Sequence, residues 1–246
     1  MVANMGLISD NGGKSISYTR VVNLSQLIHP GIPQWPGDPP VEFKTVAQIG
    51  QDGHYLRRFS LGEHSGTHLN APSGFHPNGA SIDAYPVESL IAPAVIVDVR
   101  DKAAGSPDYL LSIEDVLEWE RKSGQAASGC VLLLYTGWQD KWDNPREFFG
   151  PDTEGVLHFP GFGIAAVRFL LEERGIAGIG IDTHGVDGGR DNTFAVNRLA
   201  LEQPRIVLEN LTNLDQLPAT GAVMVIGILR LKGGSGSPAS VLALVP

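Results

Sequence analysis

Cysteine is nearly missing from this chain. Cys130 is the only one in 246 residues, so no disulfide can close within the chain and thiolate-rich metal centres are excluded. It lies in the apolar run GCVLLLYTG and reads as a small buried hydrophobe rather than a nucleophile. Basic residues are scarce and scattered: 18 Lys and Arg stand against 27 Asp and Glu, a formal charge of -9. Binding a phosphate backbone takes clustered cations, so nucleic acid is not the expected partner. A small molecule or another copy of the chain is. No apolar run approaches the roughly 18 residues that span a bilayer. The N-terminal MVANMGLISDNGGKSISYTR lacks the charged and apolar regions of a signal peptide. The expectation is a cytoplasmic protein that stays out of membranes.

What is present is apolar. Hydrophobic residues make up 42% of the chain and charged residues 18%, enough to bury one large core. A polar, glycine-containing tail over 1–18 is expected to precede a single domain over 19–246. PAVIVDV (93–99), CVLLLYT (130–136) and IAGIGID (176–182) are short, continuous apolar runs that suit strands buried on both faces. LSIEDVLEWERKSG has Ser112 as an N-cap and Gly124 as a stop, and GIAAVRFLLEERG (163–175) is a second helix. RIVLEN, AVMVIGILRL and ASVLALV supply three more strands. The fold class is α/β, a mixed sheet flanked by helices.

Polar residues collect where these strands stop. Asp98, Asp182 and Glu209 each close an apolar run, and the crevice beyond strand carboxyl ends is the usual ligand site of open α/β sheets. As turn or helix caps they would have structural roles only. HPGIPQWPGDPP (29–40) holds five prolines and reads as an ordered loop displaying Trp35, the aromatic assigned to a substrate pocket. KGGSGSPAS has the glycines of a phosphate loop but not its Lys-Ser/Thr ending, so it is a turn between strands.

The chemistry concentrates in GEHSGTHLNAPSGFH (62–76), which carries three of the seven histidines. His64 and His68 are four apart and can converge on one ion from a helix or from a turn at Gly66. A water-activating centre also wants a carboxylate and an open position. Only Glu63 is acidic within the segment, so a distant carboxylate has to contribute.

HSGTHLNAPSGFH resembles the His-x-Gly-Thr-His-x-Asp-x-Pro-x-His signature of the cyclase or kynurenine formamidase-like family of metal-dependent hydrolases. PQWPGDPP, LLLYTGW, HFPGFGIAAVRFLLEERGIAGIGIDTHGVD and IVLENLTNLDQLP extend the resemblance over most of the chain from about residue 21. The resemblance implies a swivelling β/β/α fold, a homodimer or homotetramer, and one or two zinc or manganese ions. It implies hydrolysis or cyclisation at the C–N or C–O acyl bond of a small cyclic amide, aryl formamide or lactone. His64 and His68 match metal ligands and Glu209 a ligand of a second metal. Asn70 stands at the bridging aspartate, Gly74 at an acid-base histidine and Asn197 at a histidine ligand.

These replacements count against a second dication. The expected site is then one divalent metal, zinc or manganese, on His64, His68 and the Asn70 carbonyl, with Glu209 completing the shell or orienting water. His76 or His184 moves the proton, and Trp35, Thr67, Asn197 and Ser237 contact substrate or position its neighbours. The alternative is a metal-free, hydrolytically inactive member that binds a small ligand or acts as a scaffold.

Overall fold

The structure, a computed structural model, describes residues 15–246. Most of the expected 1–18 tail lies outside the described residues, and residues 15–18 are exposed and irregular. In chain order the strands are β1 (Arg20–Asn23), β2 (Glu42–Ala47), β3 (Leu56–Ser60), β4 (His68–Asn70), β5 (Ile91–Asp98), β6 (Leu110–Leu111), β7 (Val131–Tyr135), β8 (Gly161–Phe162), β9 (Gly178–Ile181), β10 (Ile206–Glu209), β11 (Ala222–Ile228) and β12 (Gly236–Val245). The helices are α1 (Ile49–Asp52), α2 (Arg100–Gly105), α3 (Ile113–Ser123), α4 (Pro145–Phe149), α5 (Ile164–Glu173) and α6 (Ala195–Ala200).

Eight strands form one mixed sheet in the order β1-β12-β11-β5-β7-β9-β10-β4. The run β5-β7-β9-β10 is parallel. β4 closes the sheet on itself, pairing antiparallel with β10 on one side and with the first residues of β12 on the other. Both faces of the parallel strands are buried, which accounts for their unbroken apolar runs. Val95, Val97, Leu132, Leu134, Ile179 and Ile181 pack toward α3, α5 and α6. Ala94, Ile96, Val131, Leu133, Ile206 and Leu208 pack inward on Leu69, Met224, Val241 and Ala243.

Helix α3 starts in a capping box, Ser112 Oγ accepting from Asp115 N while the Asp115 carboxylate accepts from Ser112 N, so two free amide donors of the first turn are satisfied. The hairpin β2–β3 is not signalled by the sequence pattern. Its strands expose most of their residues on both faces, so period-2 alternation of apolar and polar residues is weak. Ile32, Val41, Trp138, Trp142, Phe148, Phe149 and Phe159 form a separate aromatic cluster beside the sheet, with Trp35 packed against it.

Candidate active site

Closing the sheet through β4 builds the site. Gly66, at φ +64°, takes the left-handed turn that an L side chain resists, and the chain then enters β4 so that His68 pairs directly with Glu209 across to β10. Gly236 pairs with Asn70, and a Cβ there would stand 2.7 Å from the His64 ring. Glycine at 236 is what leaves room for that imidazole.

A buried polar network follows. His68 Nδ1 donates to the Gly66 carbonyl (2.9 Å). Asn70 Oδ1 lies 2.9 Å from His64 Nδ1, and His64 Nε2 lies 3.0 Å from Ser235 Oγ. Asn70 Nδ2 donates to Asn197 Oδ1 (3.0 Å). Asn197 Nδ2 donates to Asp187 Oδ2 (2.9 Å) and to Glu209 Oε1 (3.1 Å). Val186 N also donates to Glu209 Oε1 (2.9 Å).

The electrostatics differ from group to group. Burial by itself raises the Glu209 carboxyl, but the hydrogen bond and charge of His68 and the Val186 amide outweigh it and hold the group down at about 2. Burial pushes Asp187 up to about 6 against the Val196 and Asn197 donors. His184 is pushed down to about 4, first by burial and then by His68. His64 is lowered by the same two causes. The floor thus presents an ionised Glu209 beside neutral His64 and His184 rings at pH 7.

His64, His68, Asn70, His184, Asn197, Glu209 and Trp35 line one cavity of about 300 Å³. His184 packs tilted against Trp35 and Phe149, at ring-centroid distances of 5.5 Å and 5.1 Å, and lies 6.1 Å from His68. Its buried Nε2 has no hydrogen-bond partner.

Three expected residues stand elsewhere. Thr67 is buried away from the cavity, donating to the Asn210 carbonyl (2.5 Å) and accepting from Gln26 N (2.8 Å), so it pins the turn rather than touching substrate. Ser237 accepts from Leu229 N and donates to the Pro238 carbonyl, both its bonds being spent inside the β11–β12 turn. The tight 3₁₀ turn Pro72–Gly74 keeps Gly74 on the cavity wall and carries the chain outward, so His76 sits on the exposed side with Nε2 donating to the Arg198 carbonyl (2.9 Å). The one-residue shift that would return His76 to an acid-base position does not occur. Asn197 does line the cavity, but both ends of its amide are held by protein groups.

Other lining residues carry no local sequence signal. Phe75, Phe159 and Phe194 complete an aromatic wall with Trp35. Phe194 reaches it from a left-handed backbone conformation, φ +55°, rare for a bulky residue. Asp187 accepts from Val196 N and Asn197 N at the start of α6. Its place in DTHGVD, three residues after His184, is the one clue the sequence offers.

A family model named Cyclase matches residues 22–188. The chain belongs to the cyclase family. The isatin hydrolase of Roseibium aggregatum is 32% identical over 257 residues, covering 97% of each chain. The kynurenine formamidase of Paracidovorax citrulli is 25% identical over 227 residues, covering 91% of this chain and 96% of that one. The solved structure of isatin hydrolase A from Ralstonia solanacearum superposes with a TM-score of 0.87 at 32% identity over 92% of each chain. A structure described as a potential metal-dependent hydrolase with cyclase activity, 22% identical with a TM-score of 0.68, shares the fold. This cyclase-family chain is a hydrolase, and its fold is the expected mixed-sheet β/β/α type.

Family membership implies a metal. Among the described residues no three His, Cys, Asp or Glu side chains gather into a ligand cluster, and the two asparagines leave no bridging carboxylate for a pair of ions. One cation fits. With its Nδ1 proton given to Gly66, His68 presents an Nε2 lone pair that makes no aligned hydrogen bond, yet Glu209 Oε2 lies 3.0 Å away. Two buried lone pairs at that separation call for a positive charge, either a second ring proton or a metal ion. A backbone carbonyl accepting from the other ring nitrogen is the usual support of a metal-binding histidine.

Proposed function

We propose that this hydrolase opens the acyl C–N bond of a small planar cyclic amide, with aryl formamides and lactones as neighbouring substrate classes. The observation that carries the reading is the cavity: flat aromatic walls from Trp35, Phe75, Phe159 and Phe194 over a polar floor of His68, His184 and Glu209. A planar ring stacks on such walls, which leaves its carbonyl against the floor.

One divalent ion, zinc or manganese, held by His68, Glu209, His64 and the Asn70 carbonyl, would supply carbonyl polarisation and a water of lowered pKa. The chain's own groups do the rest. Glu209 keeps its negative charge at any working pH and, fixed by Val186 N and Asn197 Nδ2, orients His68. His184, neutral above about 4, offers its unpartnered Nε2 to one hydrogen bond from substrate or water.

The test is a substrate panel of isatin-like lactams, tryptophan-derived formamides and lactones, with metal content per chain measured by elemental mass spectrometry on protein purified without chelator. Lactam opening, with about one zinc or manganese per chain that is lost in a His64→Ala, His68→Ala variant, is expected. No turnover of any panel member by metal-supplemented enzyme would overturn the reading. A metal-free ligand binder is the second reading, favoured by the Asn70–Asn197 pair having both amides satisfied within the protein. It predicts calorimetric binding of panel compounds without turnover. A cytoplasmic homodimer or homotetramer belongs to the same proposal, supported by the apolar Val46, Leu56 and Phe59 exposed on hairpin β2–β3.

A further inference from the structure

We propose that Asn197 is a positioning residue that decides which end of the Asn70 amide faces the histidines. A side-chain amide has two ends of nearly equal size and opposite polarity, so a buried asparagine is useful to a reaction only if something prevents it from turning over. Asn70 and Asn197 are 1% and 3% exposed, leaving no bulk water to satisfy a wrong orientation.

The order is set from the acidic end. Asn197 places one side-chain atom within 2.9 Å of Asp187 Oδ2 and 3.1 Å of Glu209 Oε1. An ionised carboxylate only accepts, so that atom must be Nδ2, and turning it would set an oxygen against two carboxylate oxygens. Asp187 cannot yield, because Val196 N and Asn197 N hold it. Asn197 Oδ1 therefore faces Asn70 at 3.0 Å. Asn70 must then present Nδ2 to Asn197 and Oδ1 to His64 Nδ1 at 2.9 Å. Turning Asn70 would bring two carbonyl oxygens together.

Only the oxygen end of an amide can ligate a cation or accept from an imidazole, so Asn197 makes an asparagine usable at position 70. The two asparagines are thus one device: a neutral oxygen donor and the residue that aims it. Its value for catalysis rests on the hydrolase reading, whereas the orientation itself does not.

The experiment uses side-chain amide NMR and steady-state kinetics on the wild type, Asn197→Leu, Asn70→Asp and the double variant, with thermal unfolding to verify folding. In the wild type the Asn70 amide protons are expected to give one slowly exchanging set of signals without cross-relaxation to the His64 ring. In Asn197→Leu a second set with that cross-relaxation is expected, and kcat is expected to fall by roughly 10- to 100-fold, the range for a group that orients a ligand. A carboxylate has no wrong end, so in the Asn70→Asp background Asn197→Leu is expected to cost less than about 3-fold in kcat, well under that range. Wild-type cross-relaxation between the Asn70 amide protons and His64 would overturn the proposal even if Asn197→Leu does not fold. So would an unchanged single set of signals in a folded Asn197→Leu. Correct orientation with no turnover on any substrate would leave this inference standing and remove the hydrolase reading instead.

Discussion

Two buried carboxylates stand at the ends of neighbouring parallel strands, Asp182 after β9 and Glu209 at the end of β10, and their surroundings divide structure from chemistry. Each accepts hydrogen bonds from protein donors. Asp182 accepts from Thr136 N (3.0 Å), Thr136 Oγ1 (2.7 Å) and Gln139 N (3.3 Å), which ties β9 to the loop after β7. None of those donors is charged, and burial pushes its carboxyl up to about 6. Glu209 is as deeply buried but has His68 across the strand pair, and it is held at about 2. Burial alone favours the neutral acid, and the contact with His68 together with the Val186 amide reverses it. The first carboxylate fastens a crevice and the second lines it.

The largest effect should come from removing that second charge. Glu209→Gln is expected to lower kcat/KM for any accepted substrate by roughly 100- to 1000-fold, an oriented charged group being worth about 3–4 kcal/mol in a buried site, a loss read per folded molecule because the depressed carboxylate also stabilises the fold. Equal activity in the variant would place the chemistry elsewhere in the cavity.

Asp182→Ala should do the reverse. It strands the Thr136 and Gln139 amides and is expected to cost about 2–4 kcal/mol of stability, with activity per folded molecule within about 3-fold of the wild type, far below the loss expected from a catalytic group. Its pH dependence sharpens the contrast. The folded Asp182 pKa lies above the unfolded value, so its stabilisation is complete below about 3.8 and is lost as pH rises through about 6. The depressed Glu209 contributes above about 4.5, and that contribution is lost as pH falls through about 2. In denaturant titrations the gap between wild type and Asp182→Ala should be widest below about pH 3.8, narrow by up to about 1.4 kcal/mol per pH unit between about 3.8 and 6, and level off above that. A gap that widens with pH would contradict the assignment.

The smallest effects separate the two candidate proton carriers. His184→Ala is expected to lower kcat about 10- to 100-fold. His76→Ala, which loses one exposed bond to the Arg198 carbonyl, is expected to change kcat less than about 2-fold and stability by under about 0.5 kcal/mol. Comparable losses in both variants would return His76 to the reaction.

The strands of the parallel run and helices α3 and α5 were legible because two-faced burial and capping leave local marks: unbroken apolar runs, Ser112 before the helix, Gly124 after it. The pair His64 and His68 and the distant Glu209 were legible through motif resemblance. Thr67 and His76 were read into the site because they lie beside its residues in the chain, yet the left-handed turn at Gly66 and the 3₁₀ turn at Pro72–Gly74 send their side chains elsewhere, and Ser237 spends its hydroxyl on Leu229 N and the Pro238 carbonyl. Asp187, Phe159 and Phe194 are in the cavity because loops between strands and helices return to it, which no local pattern records.

The amino-acid sequence by itself determined the sheet-and-helix alternation, the histidine turn and the lack of thiolates for a thiolate-rich metal centre, since these depend on residue type and short-range spacing. Only the tertiary structure decided that Asn70, Asn197, Asp187 and Glu209 form one hydrogen-bonded chain and that His184, not His76, faces the cavity. The physical reason is that β4 closes the sheet between β10 and β12. Side chains more than a hundred residues apart thereby come within hydrogen-bonding distance, where each fixes the direction of the next.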